Sequence, residues 1–270
     1  MIKPIKIIIA IVFCLQLASC TTASDKPPDR APSPVPDRPA QKANLKEASQ
    51  LNVQLAVGYI HRKQYEAARD KLEKAIEQNP ENLEAYKTLA YLYALLGLTD
   101  KAEEKYQDAL DIKPDDSDLL NNYGAFLCSI GKVDEALEAL KKAYSNPFYK
   151  GVYLAQSNAG SCYLQLGKYD EAEKLLRKSL RIEPKLPGSL ISMAEIGVKT
   201  GRYMMARAYI QRYHAVSKPT PASLWIQIQA EKALGAKDHY MKYARQLIQD
   251  FPDSDEAGWV EAEARNEPLR

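Results

Sequence analysis

From about residue 49 onward, apolar residues recur three and four positions apart, the spacing of an amphipathic helix, and the runs break at fixed intervals. Five of the 12 glycines fall in register at Gly97, Gly131, Gly167, Gly201 and Gly235, spaced 34, 36, 34 and 34. Pro80, Pro114, Pro184 and Pro252 keep the same period once a two-residue insertion between the third and fourth units is allowed for. Each unit therefore predicts a helix A, a turn and a helix B. Small residues recur at unit positions 8 and 20: Ala56 and Ala68, Ala90 and Ala102, Gly124 and Ala136, Gly160 and Ala172, Ala194 and Ala206. Two helices crossing at close range need small side chains there, with Leu and aromatic residues filling the space around them. Glycine at position 15 ends helix A in a left-handed turn, and proline near position 32 falls past the end of helix B.

A period of 34 with a small residue at 8, Tyr at 11, Ala at 20 and Pro near 32 is the tetratricopeptide signature. The predicted fold is all-α, a right-handed superhelical solenoid of six such helix-turn-helix repeats: 49–82, 83–116, 117–152, 153–186, 187–220 and 221–254, with a C-terminal tail at 255–270. The second repeat shows the pattern best, with Tyr86, Leu89, Ala90, Tyr93, Gly97, Ala102, Tyr106, Ala109 and Pro114. The sixth keeps Gly235 and Pro252 but places Tyr240 at position 20, as a terminal cap can. Lys63 stands where repeat one should have glycine. The excess of tyrosine over phenylalanine, 17 to 4, belongs to this packing rather than to ligand binding. Between repeats three and four, Phe148 and Tyr149 are expected to tuck over the adjacent helix; an exposed contact point is the alternative.

The first residues follow a different pattern. Lys3 and Lys6 precede an uncharged run from Ile7 to Leu15, then Leu17-Ala18-Ser19-Cys20. A basic start, a short apolar stretch and small residues before a cut site make residues 1–19 a secretory signal. Leu-Ala-Ser-Cys resembles the lipobox of bacterial lipoproteins, which implies acylation at Cys20; the alternative is a plain secreted protein with an incidental cysteine. Residues 20–48 then form a lipidated, proline-rich tether, with Pro27, Pro28, Pro32, Pro34, Pro36 and Pro39. Extended from Thr21 to roughly Lys46, it reaches up to about 80 Å from a membrane. In lipoproteins of double-membraned bacteria, Asp after the lipidated Cys retains the protein at the inner membrane. Thr21 here implies the inner leaflet of the outer membrane, with the repeats in the periplasm.

Composition narrows the chemistry. The chain is 46% hydrophobic and 27% charged, with a formal net charge of +2. Without Lys3 and Lys6 that charge vanishes, and no basic stripe marks a nucleic-acid binder. His61, His214 and His239 are scattered without metal-ligand pairing, and no Walker, G-x-S-x-G or G-x-G-x-x-G motif occurs. Acidic residues alternate with Lys and Arg, the mark of a solvated face. The sequence points to no enzyme, no cofactor and no small-molecule substrate. Once Cys14 leaves with the signal and Cys20 is lipidated, Cys128 and Cys162 remain, on neighbouring A helices. A disulfide between them is expected; two buried thiols are the alternative.

Helix A lines the concave face of such a solenoid. In repeat one, Val53, Val57 and Ile60 form an apolar stripe that packing within the repeat does not require, and Tyr91 and Leu95 extend it in repeat two. An exposed apolar patch points to a protein partner; the alternative is that residues Leu45 to Gln50 fold over it. Asn122 and Asn158 share position 6 of successive repeats and are expected to hold the backbone of an extended peptide.

The run Leu119-Leu120-Asn121-Asn122-Tyr123-Gly124-Ala125-Phe126-Leu127-Cys128, with Asn158-Ala159-Gly160-Ser161-Cys162-Tyr163, resembles the type IV pilus biogenesis and stability lipoproteins, the PilF/PilW pilotin family. The resemblance spans lipobox, linker and six repeats. It implies that the protein accompanies the pilus secretin to the outer membrane and promotes its multimerisation, with the groove of the first repeat in contact with the secretin. A tetratricopeptide scaffold for cell-wall enzymes, or for the outer-membrane protein insertion machinery, is the alternative reading.

Overall fold

The computed structural model describes residues 38–266. The expected signal at 1–19, the expected lipidation at Cys20 and the expected tether as far as residue 37 lie outside the described residues. The chain divides into two units, 1–42 and 43–270. The second carries the repeats, and the described residues contain thirteen helices and no strand.

Repeat one pairs α1 (Arg38–His61) with α2 (Tyr65–Gln78), and repeat two pairs α3 (Leu83–Leu95) with α4 (Thr99–Ile112). The third and fourth pair α5 (Ser117–Ser129) with α6 (Val133–Ser145), and α7 (Val152–Gln165) with α8 (Tyr169–Ile182). The fifth and sixth pair α9 (Pro187–Lys199) with α10 (Tyr203–His214), and α11 (Pro221–Ala233) with α12 (Lys237–Asp250); α13 (Asp255–Asn266) follows.

The small residues sit where the helices cross. Ala56, Ala68, Ala90, Ala102, Ala136, Ala172, Ala194 and Ala206 are all fully buried. A Cβ at Gly124 would fall 2.6 Å from Leu140 Cγ, and one at Gly160 would fall 2.7 Å from Leu176 Cγ, so no larger residue fits without moving helix B. The position-15 glycines all have positive φ, between 69 and 82°. In repeats two, three, four and six the residue after the turn donates its amide back to position 11, as Leu98 does to the Tyr93 carbonyl at 2.9 Å. Repeat one makes the same turn through Lys63, at φ 58°, with Gln64 N donating to Tyr59 O at 2.9 Å. That left-handed lysine costs about 1 kcal/mol that glycine avoids.

Two boundaries differ from the sequence expectation. Helix α1 begins at Arg38, so residues 38–48, expected to be extended tether, are helical. After Pro39, tolerated in a first turn, Ala40 to Ala48 are mostly strong helix formers, and nothing stops the helix from running into the repeat. The expected tail is also structured. Ala257 and Val260 of α13 are buried beside Leu224 and Ile228, in the place where a next helix A would pack, so α13 covers the end of the solenoid.

The insertion splits its two aromatics. Tyr149 packs inward, its hydroxyl donating to Asp118 Oδ1 at 3.4 Å, whereas Phe148 is 90% exposed rather than tucked. The Asn146 side chain accepts the Phe148 amide at 3.0 Å, a turn that directs one ring outward and the next inward.

Candidate functional site: a groove across repeats one to three

The A helices α1, α3 and α5 border an open groove of about 540 Å³. Val57 and Ile60 form one wall, Tyr91 and Ala94 the middle, and Asn122 and Ala125 the far wall. Tyr106 and Phe126, both buried, make an aromatic floor with ring centroids 5.3 Å apart. Tyr106 comes from helix B of repeat two, where the repeat pattern marks it as a packing residue and nothing in that pattern signals that it also floors the groove. Burial pushes its hydroxyl up to about 12, and it stays neutral under ordinary conditions.

One cation reaches this apolar surface. The Lys87 ammonium is 2.7 Å from both Glu84 and Asp118, bridging repeats two and three. Burial alone would lower it, but hydrogen bonds to the Asp118 and Glu84 carboxylates outweigh burial and hold it above its ordinary value. Lys87 is thus a fixed, compensated charge at the edge of an apolar trough. The lining offers surface and hydrogen bonds rather than a nucleophile paired with a base.

The sequence-derived residues divide. Val57 is 39% exposed and Tyr91 53% exposed, and with Ile60 both line the groove. Val53 does not: it is 5% exposed. At the same position 5 of helix A, Asn121 and Ser157 are also buried, whereas Lys87 of repeat two reaches the groove edge. Leu95 is exposed but lies off the groove. Of the asparagine pair only Asn122 lines it. Asn158 donates to Asn121 Oδ1 at 2.9 Å, so its amide joins repeats three and four and is not presented to a peptide. Residues 45–50 continue α1 as one helix instead of folding over Val57 and Ile60.

Next to this link, Cys128 and Cys162 are bonded, with Cα atoms 5.9 Å apart. The two segments that carry the pilus resemblance, one on α5 and one on α7, are therefore bonded to each other through Asn121–Asn158 and Cys128–Cys162. They fix the orientation of repeat four against the groove-bearing repeats.

Tetratricopeptide-repeat family models match residues 54–117, 105–138 and 153–186. The chain is 29% identical over 256 residues to the type IV pilus assembly protein PilF of Pseudomonas aeruginosa, covering 94% of this chain and 98% of PilF. The crystal structure of PilW, described as a widely conserved type IV pilus biogenesis factor, superposes with a TM-score of 0.72 at 32% identity, covering 78% of this chain and 97% of PilW. The chain belongs to the PilF/PilW family. The solved structure of Pseudomonas aeruginosa PilF agrees, with a TM-score of 0.72 at 30% identity over 82% of this chain and 99% of that one. PilF/PilW proteins are all-α superhelical tetratricopeptide solenoids, a fold that in general serves as a scaffold for protein interaction. In this family member, the open stretch of that scaffold runs from Val57 to Asn122.

Proposed function

We propose that this chain is a lipid-anchored outer-membrane protein that binds the type IV pilus secretin through the groove of repeats one to three, and promotes the localisation and multimerisation of the secretin. The observation that carries the reading is the groove itself: exposed Val57 and Tyr91 over a buried aromatic floor, on a chain whose relatives are named for pilus assembly and biogenesis. Apolar surface left open on an otherwise well-packed solenoid suits a partner segment with its own apolar anchors. Two sequence features support the membrane half: the Leu-Ala-Ser-Cys box ending at Cys20, and Thr21 after it. Several acyl chains hold a protein on a bilayer far longer than one. Tethering the groove to that surface raises the effective concentration of secretin subunits where the pore assembles.

Lipidation and groove make separable contributions. Cys20→Ala leaves the repeats intact and removes the anchor. In cells carrying it, heat-resistant secretin multimers in the outer-membrane fraction fall to a small remnant, read by immunoblot after membrane separation. Wild-type multimer levels in that strain count against the proposal.

A further inference from the structure

A second surface lies on the helix B side, between repeats four and five. Lys174, Arg177 and Arg181 follow one another along one face of α8, and Tyr209 and Arg212 stand opposite on α10. With Leu180 they line a cleft of about 480 Å³. Arg177 is held by two hydrogen bonds to Glu173 Oε1, at 2.6 and 2.8 Å. Arg212 donates to the Pro184 carbonyl at 2.9 Å, and its guanidinium lies over the Tyr209 ring, 5.1 Å from the centroid. Glu173 is shared between Arg177 and Arg202, so its single charge is divided. The cleft is lined by no carboxylate, and Lys174 and Arg181 have no ion pair among the described residues.

The fold does not require these cations. The same three repeat positions carry Asp70, Glu73 and Glu77 in repeat one, and Glu104, Gln107 and Asp111 in repeat two. A solvated helix face tolerates either sign. Here positive side chains from two helices converge on one cleft, and their mutual repulsion opposes the fold unless an anion answers it.

We propose that this cleft is a second docking site, for an acidic peptide segment of a partner protein. Arg177 and Arg212, already oriented by their neighbours, offer planar donors that match carboxylates. Lys174 and Arg181 add charge that no carboxylate among the described residues pairs with. Leu180 and the Tyr209 ring supply apolar surface for a side chain between the carboxylates. A flat lipid surface would meet only the tips of these side chains, not the recessed Leu180 and Tyr209, so the shape favours a peptide over a bilayer. The site shares no residue with the groove of repeats one to three, so its test and that of the secretin reading fail independently.

The test uses the full chain and a fluorescent peptide of glutamates with interspersed leucines, followed by anisotropy at low and high salt. Binding is expected at low salt and weakens as salt screens the cleft. Lys174→Glu with Arg181→Glu weakens it at least about tenfold. Lys141→Glu with Lys142→Glu, the same change in net charge on α6, shifts it less than about twofold. Lys174→Gln with Arg181→Gln, which adds no repulsion, gives the intermediate loss, and circular dichroism checks that each variant is folded. Absence of peptide binding overturns the proposal, as does an equal loss in both charge-reversed variants. So does cleft-dependent binding to phosphatidylglycerol vesicles without peptide binding, or self-association that the cleft reversal abolishes.

Discussion

Arg207→Ala lowers the stability of the repeat domain by about 3–5 kcal/mol, read as a loss of unfolding free energy in equilibrium urea denaturation. The reason is Glu231, a carboxylate that is 1% exposed at position 11 of the last helix A, where other repeats place Tyr59, Tyr93 or Tyr163. Its charge is met by a two-pronged Arg207 contact, Nε to Oε1 at 3.1 Å and Nη2 to Oε2, and by Gln227 Nε2 on Oε1. His239 lies 3.7 Å from the same group on the exposed side. Removing the guanidinium strands a buried anion, whose desolvation is then uncompensated. Arg207→Met combined with Glu231→Leu removes both charges and leaves only the buried Gln227 amide without its acceptor, so its stability falls about 1–3 kcal/mol below wild type, less than for Arg207→Ala. A loss from the double change as large as that from Arg207→Ala would show that packing, not charge, sets the cost.

Removing the bond between Cys128 and Cys162 is the second large effect. It closes a loop of sequence separation 34 between repeats three and four. On the chain-entropy account, opening such a loop costs about 3–4 kcal/mol, mostly by freeing the unfolded chain. The variant Cys128→Ala with Cys162→Ala, or reduction of the wild-type chain, shows that drop in urea denaturation. Reduction should leave the double variant unchanged. Because each repeat leans only on its neighbours, the loss falls at the junction of repeats three and four, and amide exchange quickens first in α5 and α7. Identical stability with and without reductant would remove the bridge from the account.

The repeat architecture was legible because its requirements are local and periodic. Gly124 and Gly160 have no room for a Cβ, and Gly97 and its counterparts sit at positive φ, so each position advertises its role in the sequence. What depended on longer-range geometry was not. Val53 reads like Val57 in any helical projection, and only the seat of the next repeat decides that one is core and the other groove. Asn158 reads like Asn122, and only the approach of Asn121 diverts its amide. Glu231 and Arg207 look like members of a solvated charge pattern, and only their pairing between repeats five and six reveals that the carboxylate is buried. Helix α13 carries no glycine or proline marker of the period, and its two buried residues, Ala257 and Val260, gain meaning only against the end of α11. Helix α1 overruns its expected start because proline content marks a tether only as far as the last proline, Pro39.

The central claim is that the groove of repeats one to three engages the secretin. It is tested most directly by titrating the purified chain against the purified periplasmic part of the pilus secretin. Wild type binds, and Tyr91→Ala and Val57→Glu, at exposed positions where the fold tolerates change, each weaken binding at least about tenfold, as expected when a central anchor is lost. Leu95→Ala, exposed but off the groove, leaves the affinity within about twofold. Undiminished binding by folded Tyr91→Ala and Val57→Glu would contradict the account.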